Sequence, residues 1–114
     1  MSLDIWLVAT VDTGNDECTE VQVGGHDFNY THNVSPMWSL AGCYDALYNS
    51  DGMVAGETCH VLKRAIRVME IEPDKFRGMN PSNGWGSYDG ALTFLREWEA
   101  NCSAYPKAII RVWK

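Results

Sequence analysis

The chain has no apolar run near the roughly 20 residues that a membrane-spanning helix needs, so a helical span is excluded and no membrane partner is expected. Basic residues are scarce: nine Lys and Arg stand against fifteen Asp and Glu, a net charge of −6. Nucleic-acid polymers and anionic membrane surfaces are held by clustered Lys and Arg that release counterions, so neither is expected as a partner. The local exception is Lys63, Arg64 and Arg67 on one predicted helix, enough to hold a small phosphate. No C-x-x-C pair links the cysteines at 18, 43, 59 and 102, which points to reduced thiols rather than a disulfide framework. His26, Asp27 and His32 lack the compact spacing of a zinc site, and His60 beside Cys59 falls on a predicted helix; no metal and no cofactor are expected. Walker-type phosphate loops are missing, and Gly24-Gly25 has neither the third glycine nor the following helix of a dinucleotide fingerprint.

What is present is one domain's worth of chain. The 114 residues, 46% hydrophobic, are enough for a core but not for two domains, so a single domain over 1–114 is expected. Five tryptophans stand beside five tyrosines and three phenylalanines. An indole is costly to leave wet, so the tryptophans belong to a core, a site or a subunit contact; a homodimer that buries some of them is the expected oligomer.

Hydrophobic periodicity gives the map. Leu3, Ile5, Leu7, Ala9 and Val11 alternate with their neighbours and predict a strand over about 3–11. Turn-forming residues 12–16 lead to a short strand over 20–23, and Phe28 and Tyr30 alternate in a third extended piece. Ser35-Pro36 reads as a helix start with Ser35 as N-cap, and Met37, Leu40, Ala41, Tyr44, Leu47 and Tyr48 share one face of a single helix. A second helix runs over 57–71, with Val61, Leu62, Ala65, Ile66 and Met69 inward, and ends at Pro73. One helical turn is expected over 74–77. A third helix over 88–104 is capped by Ser87, and residues 107–113 alternate as a last strand. The order β-β-(β)-α-α-α-β predicts an α+β domain: a small, mostly antiparallel sheet of N- and C-terminal strands, covered on one face by three helices.

Two polar and aromatic loops carry the functional signal. Asn29, Tyr30, Thr31, His32 and Asn33 precede the first helix, and Asn80-Pro81-Ser82-Asn83-Gly84-Trp85-Gly86-Ser87-Tyr88 precedes the last. Side-chain donors and acceptors beside helix-start N–H groups can hold a polar or anionic ligand, and the two loops predict one pocket. Asn29, Thr31, His32 and Asn33 would supply hydrogen bonds, Trp85 and Tyr88 stacking, and Asn83 would hold the second loop. Each also has a structural reading. Asn residues cap and turn the backbone, Trp85 could staple the helix it precedes, and the His32 ring could tie its loop to the sheet.

The reading preferred is a binding module for a polar, nucleotide-like small molecule without turnover. Two alternatives stand beside it. One is a protein–protein effector that inhibits another protein through an exposed aromatic patch of Trp113, Trp6 or Phe76. The other is a small hydrolase using His32 as base, with Asp27 or Asp45 fixing its tautomer or Cys43 as nucleophile.

The segments Leu3-Asp4-Ile5-Trp6-Leu7, Asn29-Tyr30-Thr31-His32-Asn33-Val34 and Ala41-Gly42, then Asp74-Lys75-Phe76, Asn80 to Tyr88 and Tyr105-Pro106, resemble a family of short proteins of tailed phages and bacteria. The resemblance runs in order through most of the chain. It implies a phage or prophage setting and action in the cytoplasm of a host bacterial cell. Small phage proteins of this kind serve host takeover or counter-defence, including the capture of nucleotide immune signals. The resemblance brings no catalytic residue with it. The opening Met1 to Trp6 reads as a strand start rather than a charged leader, in keeping with that location.

Overall fold

The computed structural model describes residues 2–14, 17–25 and 28–114. Its centre is β1 (Ser2–Asp12), the strand predicted from strict alternation. Leu3, Ile5 and Leu7 are fully buried on one face, while Asp4, Trp6 and Thr10 take the other.

Three strands pair with β1, all antiparallel. Leu7–Asp12 of β1 pairs with β2 (Cys18–Val23), and Ser2–Asp4 pairs with β3 (Asn29–Thr31). The C-terminal strand β4 (Ile109–Trp113) pairs with Asp4 to Val8. Because β4 overlaps both β2 and β3 in register, it holds one edge of β1, and the other two lie end to end along the opposite edge. The fold is therefore the α+β class expected, with a four-stranded antiparallel sheet and the longer helices packed on one face.

The helical layer departs from expectation at its start. One helix from Pro36 to Tyr48 is in fact two, α1 (Ser35–Ala41) and α2 (Tyr44–Tyr48). Gly42 separates them in the left-handed region at φ 93°, its N–H reaching the Trp38 carbonyl at 3.0 Å. Such a terminator suits glycine, and it reorients the chain so that no single apolar face continues across it. Met37, Ala41, Leu47 and Tyr48 are buried as predicted, but Leu40 and Tyr44 are exposed. Ser35 is not an N-cap either. It already has helical angles, and Thr31 caps the preceding 3-10 turn His32–Val34, its Oγ1 accepting the Asn33 N–H at 3.3 Å.

The remaining helices follow the pattern closely. α3 (Ala55–Ile71) buries Leu62, Ala65 and Met69, with Val61 and Ile66 half-buried. Pro73 opens the short α4 (Pro73–Arg77), whose Phe76 is fully buried. α5 (Tyr88–Ala104) is capped by Ser87, whose Oγ accepts the Gly90 N–H at 3.0 Å. Burial of each aliphatic side chain such as Leu62 or Leu95 is worth roughly 1.5–3 kcal/mol. Of the tryptophans, Trp38 and Trp98 are fully enclosed in the chain's own core.

Aromatic contacts tie β3 to the helices. The Tyr30 ring lies 6.1 Å from Trp38 and 5.9 Å from Phe94, and Phe28 sits edge-on to Trp98 at 5.1 Å. These spacings are those of favourable aromatic pairs, and they fix the first polar loop against α1 and α5.

Candidate functional site

The two polar loops meet. Tyr30 Oη accepts the Ser87 N–H at 3.2 Å, which sets the start of α5 beside β3. Gly86, at φ +94°, lies so close to the first loop that a Cβ would stand 2.7 Å from Thr31 Cγ2 and 2.9 Å from Val34 Cγ1. Only glycine permits both that angle and that approach.

A small amide cluster holds the junction. Asn33 Nδ2 donates to the Trp85 carbonyl at 3.3 Å and lies 3.5 Å from Asn83 Oδ1. Asn83 Oδ1 also accepts the Trp85 N–H at 3.0 Å, an Asx turn that pins the residue from its other side. The indole itself is 69% exposed.

Between the loops lies an open cleft of about 650 Å³. Five of the seven predicted ligand residues line it: Asn29, Thr31, Asn33, Asn83 and Trp85, joined by Ser2, Tyr30 and Gly86. Asn29 Nδ2 donates to Ser2 Oγ at 3.0 Å and to Asp4 Oδ1 at 2.9 Å. The side-chain carbonyl oxygens of Asn29 and Asn33 and the Asn83 side-chain NH₂ have no partner among the described residues. A second cleft of about 460 Å³ shares Asn29 and Tyr30, with Asp89, Thr93 and Glu97 on its far wall. No Lys or Arg lines either one.

Tyr88 and His32 are placed elsewhere. Tyr88 is buried, and its hydroxyl donates to the Met69 carbonyl at 2.7 Å. That carbonyl needs it: its helical partner four residues on would be the N–H of Pro73, which proline lacks. The Tyr88 ring lies 6.3 Å from Phe76, with the Arg77 guanidinium 5.0 Å from its centroid, so its faces are taken up within the fold. His32 turns toward α2. Its ring stacks on Tyr48 at 5.1 Å, Nδ1 is 2.9 Å from Tyr48 Oη, and the enclosed Nε2 has no partner among the described residues. Burial pushes the Tyr48 phenol well above its ordinary range, so it stays neutral.

Of the partners considered for His32 in a hydrolase, the two among the described residues, Asp45 and Cys43, make no hydrogen bond to it. Asp27, like His26, lies outside the described residues. Asp45 is engaged by Asn49 Nδ2 at 2.6 Å. Cys43 is fully buried, and desolvation pushes its thiol up to about 12, where it is protonated and a poor nucleophile. All four cysteines are free.

Lys63, Arg64 and Arg67 lie on the outer side of α3 beside His60, where they border a separate surface depression. Among the described residues no three His, Cys, Asp or Glu side chains cluster as a metal site, and no helix is long and apolar enough to cross a membrane.

Ser2, not among the residues expected from the sequence, reaches the cleft because it stands opposite Thr31 in the sheet. That register carries no local signal. Compared with protein-family models, curated proteins and solved structures, the chain matches none of them.

Proposed function

We propose that the cleft between the two loops binds a polar, nucleotide-like small molecule through its base and sugar, without turnover. Trp85 carries this reading. Its backbone is fixed on both sides by Asn83 and Asn33, while its indole stands exposed at the cleft rim. An exposed aromatic face beside neutral amides and hydroxyls suits a planar ring, and base–aromatic stacking is worth roughly 1–3 kcal/mol. The unpartnered carbonyls of Asn29 and Asn33 and the Asn83 amide supply acceptors and a donor for its edge.

Charge narrows the class. Phosphates would meet no Lys or Arg in the lining, and Asp4 is bound to Asn29 at its margin. Like charges repel, so phosphate groups would point to solvent. Capture rather than chemistry is supported by what borders the cleft: amides, hydroxyls and aromatic rings, with His32 turned to Tyr48. The likeness to short phage and bacterial proteins supplies a setting, the cytoplasm of a host bacterium. Holding a nucleotide-derived signal there would serve takeover or counter-defence.

Isothermal titration against nucleosides, cyclic nucleotides and ADP-ribose-type compounds tests this. Binding should follow the base and ribose, change little with added phosphates, and fall at least tenfold in Trp85→Ala while the circular dichroism is kept. No heat and no melting shift with any of them would overturn it.

A second reading, a protein–protein effector, draws on Trp113 and Trp6. They stand on the helix-free face of the sheet, opposite Asp4 and Arg111 respectively, and Trp113 is exposed. Phe76 cannot join such a patch, being fully buried. A pull-down from bacterial lysate that Trp113→Ser abolishes would favour it.

A further inference from the structure

The β1–β2 hairpin runs past the helices that cover the rest of the sheet. Residues 10–12 and 18–22 are all exposed, and the molecule measures 54 × 27 × 19 Å. The apolar strip of β1 nevertheless continues onto this arm. Ala9 and Val11 follow Leu3, Ile5 and Leu7 on the same face, and Val21 stands opposite Ala9. Val11 and Val21 are about half exposed, at 45% and 46%.

The outer edge of β2 has no strand beside it among the described residues. Soluble monomers usually blunt such an edge with Lys, Pro or an inward charge. β2 has none of these. Its one charged residue, Glu20, is drawn across the sheet by a bidentate bond to Arg111 at 2.9 and 2.8 Å.

We infer that this edge joins two copies of the chain, the β2 strands pairing antiparallel across a twofold axis at Val21. Residues directly opposite in an antiparallel pair share a face, so a symmetric pairing must centre on a residue. Centring on Glu20 would set two carboxylates against each other. Centring on Gln22 shortens the overlap and brings Glu20 opposite Gly24. Centring on Val21 pairs it with its own copy, Glu20 with Gln22 and Thr19 with Val23, so no like charges meet. The two valines then bury each other beside the exposed strip. The interface is remote from the two-loop cleft and stands independently of the function proposed for it.

Sedimentation from micromolar to sub-millimolar concentration should show a dimer, and Val21→Lys a monomer with unchanged circular dichroism. The register has its own test in a Cys18→Ser background. Val21→Cys should form an interchain disulfide under mild oxidation, because directly opposed Cα atoms lie about 4.5–5.5 Å apart, within the span a disulfide bridges. Thr19→Cys, several residues out of register with its own copy, should not. A wild-type chain that stays monomeric throughout overturns the proposal and leaves the edge to a foreign strand. Equal crosslinking of the two cysteine variants overturns the register.

Discussion

Asn33 and Trp85, 52 positions apart in the chain, are joined by one hydrogen bond from the Asn33 side-chain amide to the Trp85 carbonyl at 3.3 Å. The bond crosses from the loop before α1 to the loop before α5, so the cleft depends on two segments that local sequence does not connect. Asn33→Ala should cost about 0.5–1.5 kcal/mol, the net worth of such a bond. Hydrogen exchange at residues 83–87 should quicken at the same time. Unchanged exchange there would show that other contacts hold the loop.

Gly84 and Gly86 separate backbone strain from crowding. Both have positive φ, at 77° and 94°, but a Cβ at Gly84 meets nothing within 4 Å, whereas at Gly86 it strikes Thr31 and Val34. Gly84→Ala should cost about 1–2 kcal/mol for the angle alone. Gly86→Ala should cost at least about 1 kcal/mol more, since the neighbours are packed and must shift. Equal denaturation midpoints for the two variants would contradict the close approach of the loops.

Tyr88→Phe removes the donor that stands in for the missing Pro73 N–H. The buried Met69 carbonyl would be left unpaired, at a cost of about 1–3 kcal/mol, readable in urea unfolding. Ligand affinity should stay as it is, because the ring does not border the cleft. A loss of affinity with stability intact would return Tyr88 to the site.

Alkaline conditions should weaken the fold. Burial pushes the thiols of Cys43 and Cys102 up to about 12 from an ordinary value of 9.0. Between those values the unfolded chain releases a proton that the folded chain keeps, so stability is full below pH 9 and falls as pH rises toward 12. Each thiol contributes a slope of about 1.4 kcal/mol per pH unit in that window. Melting temperatures of wild type and Cys43→Ala should therefore converge as pH rises above 9. Parallel curves would refute the assignment.

Elements with a long, unbroken period are legible in the amino-acid order itself. β1 and α5 fall where alternation and the 3.6-residue face put them, because burial on one side dictates both. Gly42 hides the break between α1 and α2. An isolated glycine is tolerated inside a helix, and the apolar pattern happens to resume after it. The five cleft residues stand out as loop polar groups, but their meeting depends on β3 lying against Ser2–Asp4 and on the Tyr30 hydroxyl, which are long-range pairings. His32 is drawn away from the cleft by Tyr48, a neighbour 16 residues away. Periodicity puts Tyr88 on the inward face of its helix, while its loop setting puts it in the pocket. Only the first holds, and the orphan carbonyl above Pro73 is the reason.

Tyr30 lines the cleft and packs against the core at once. Its ring packs against both Trp38 and Phe94, and its hydroxyl anchors Ser87 beside Gly90, where a Cβ would collide with it. Under the binding function proposed, a change of ligand preference would therefore work from the rim inward, through Asn83, Trp85 and their exposed neighbours. Substitution at that rim leaves the packing beneath it intact, whereas deepening the cleft would break the aromatic contacts of Tyr30.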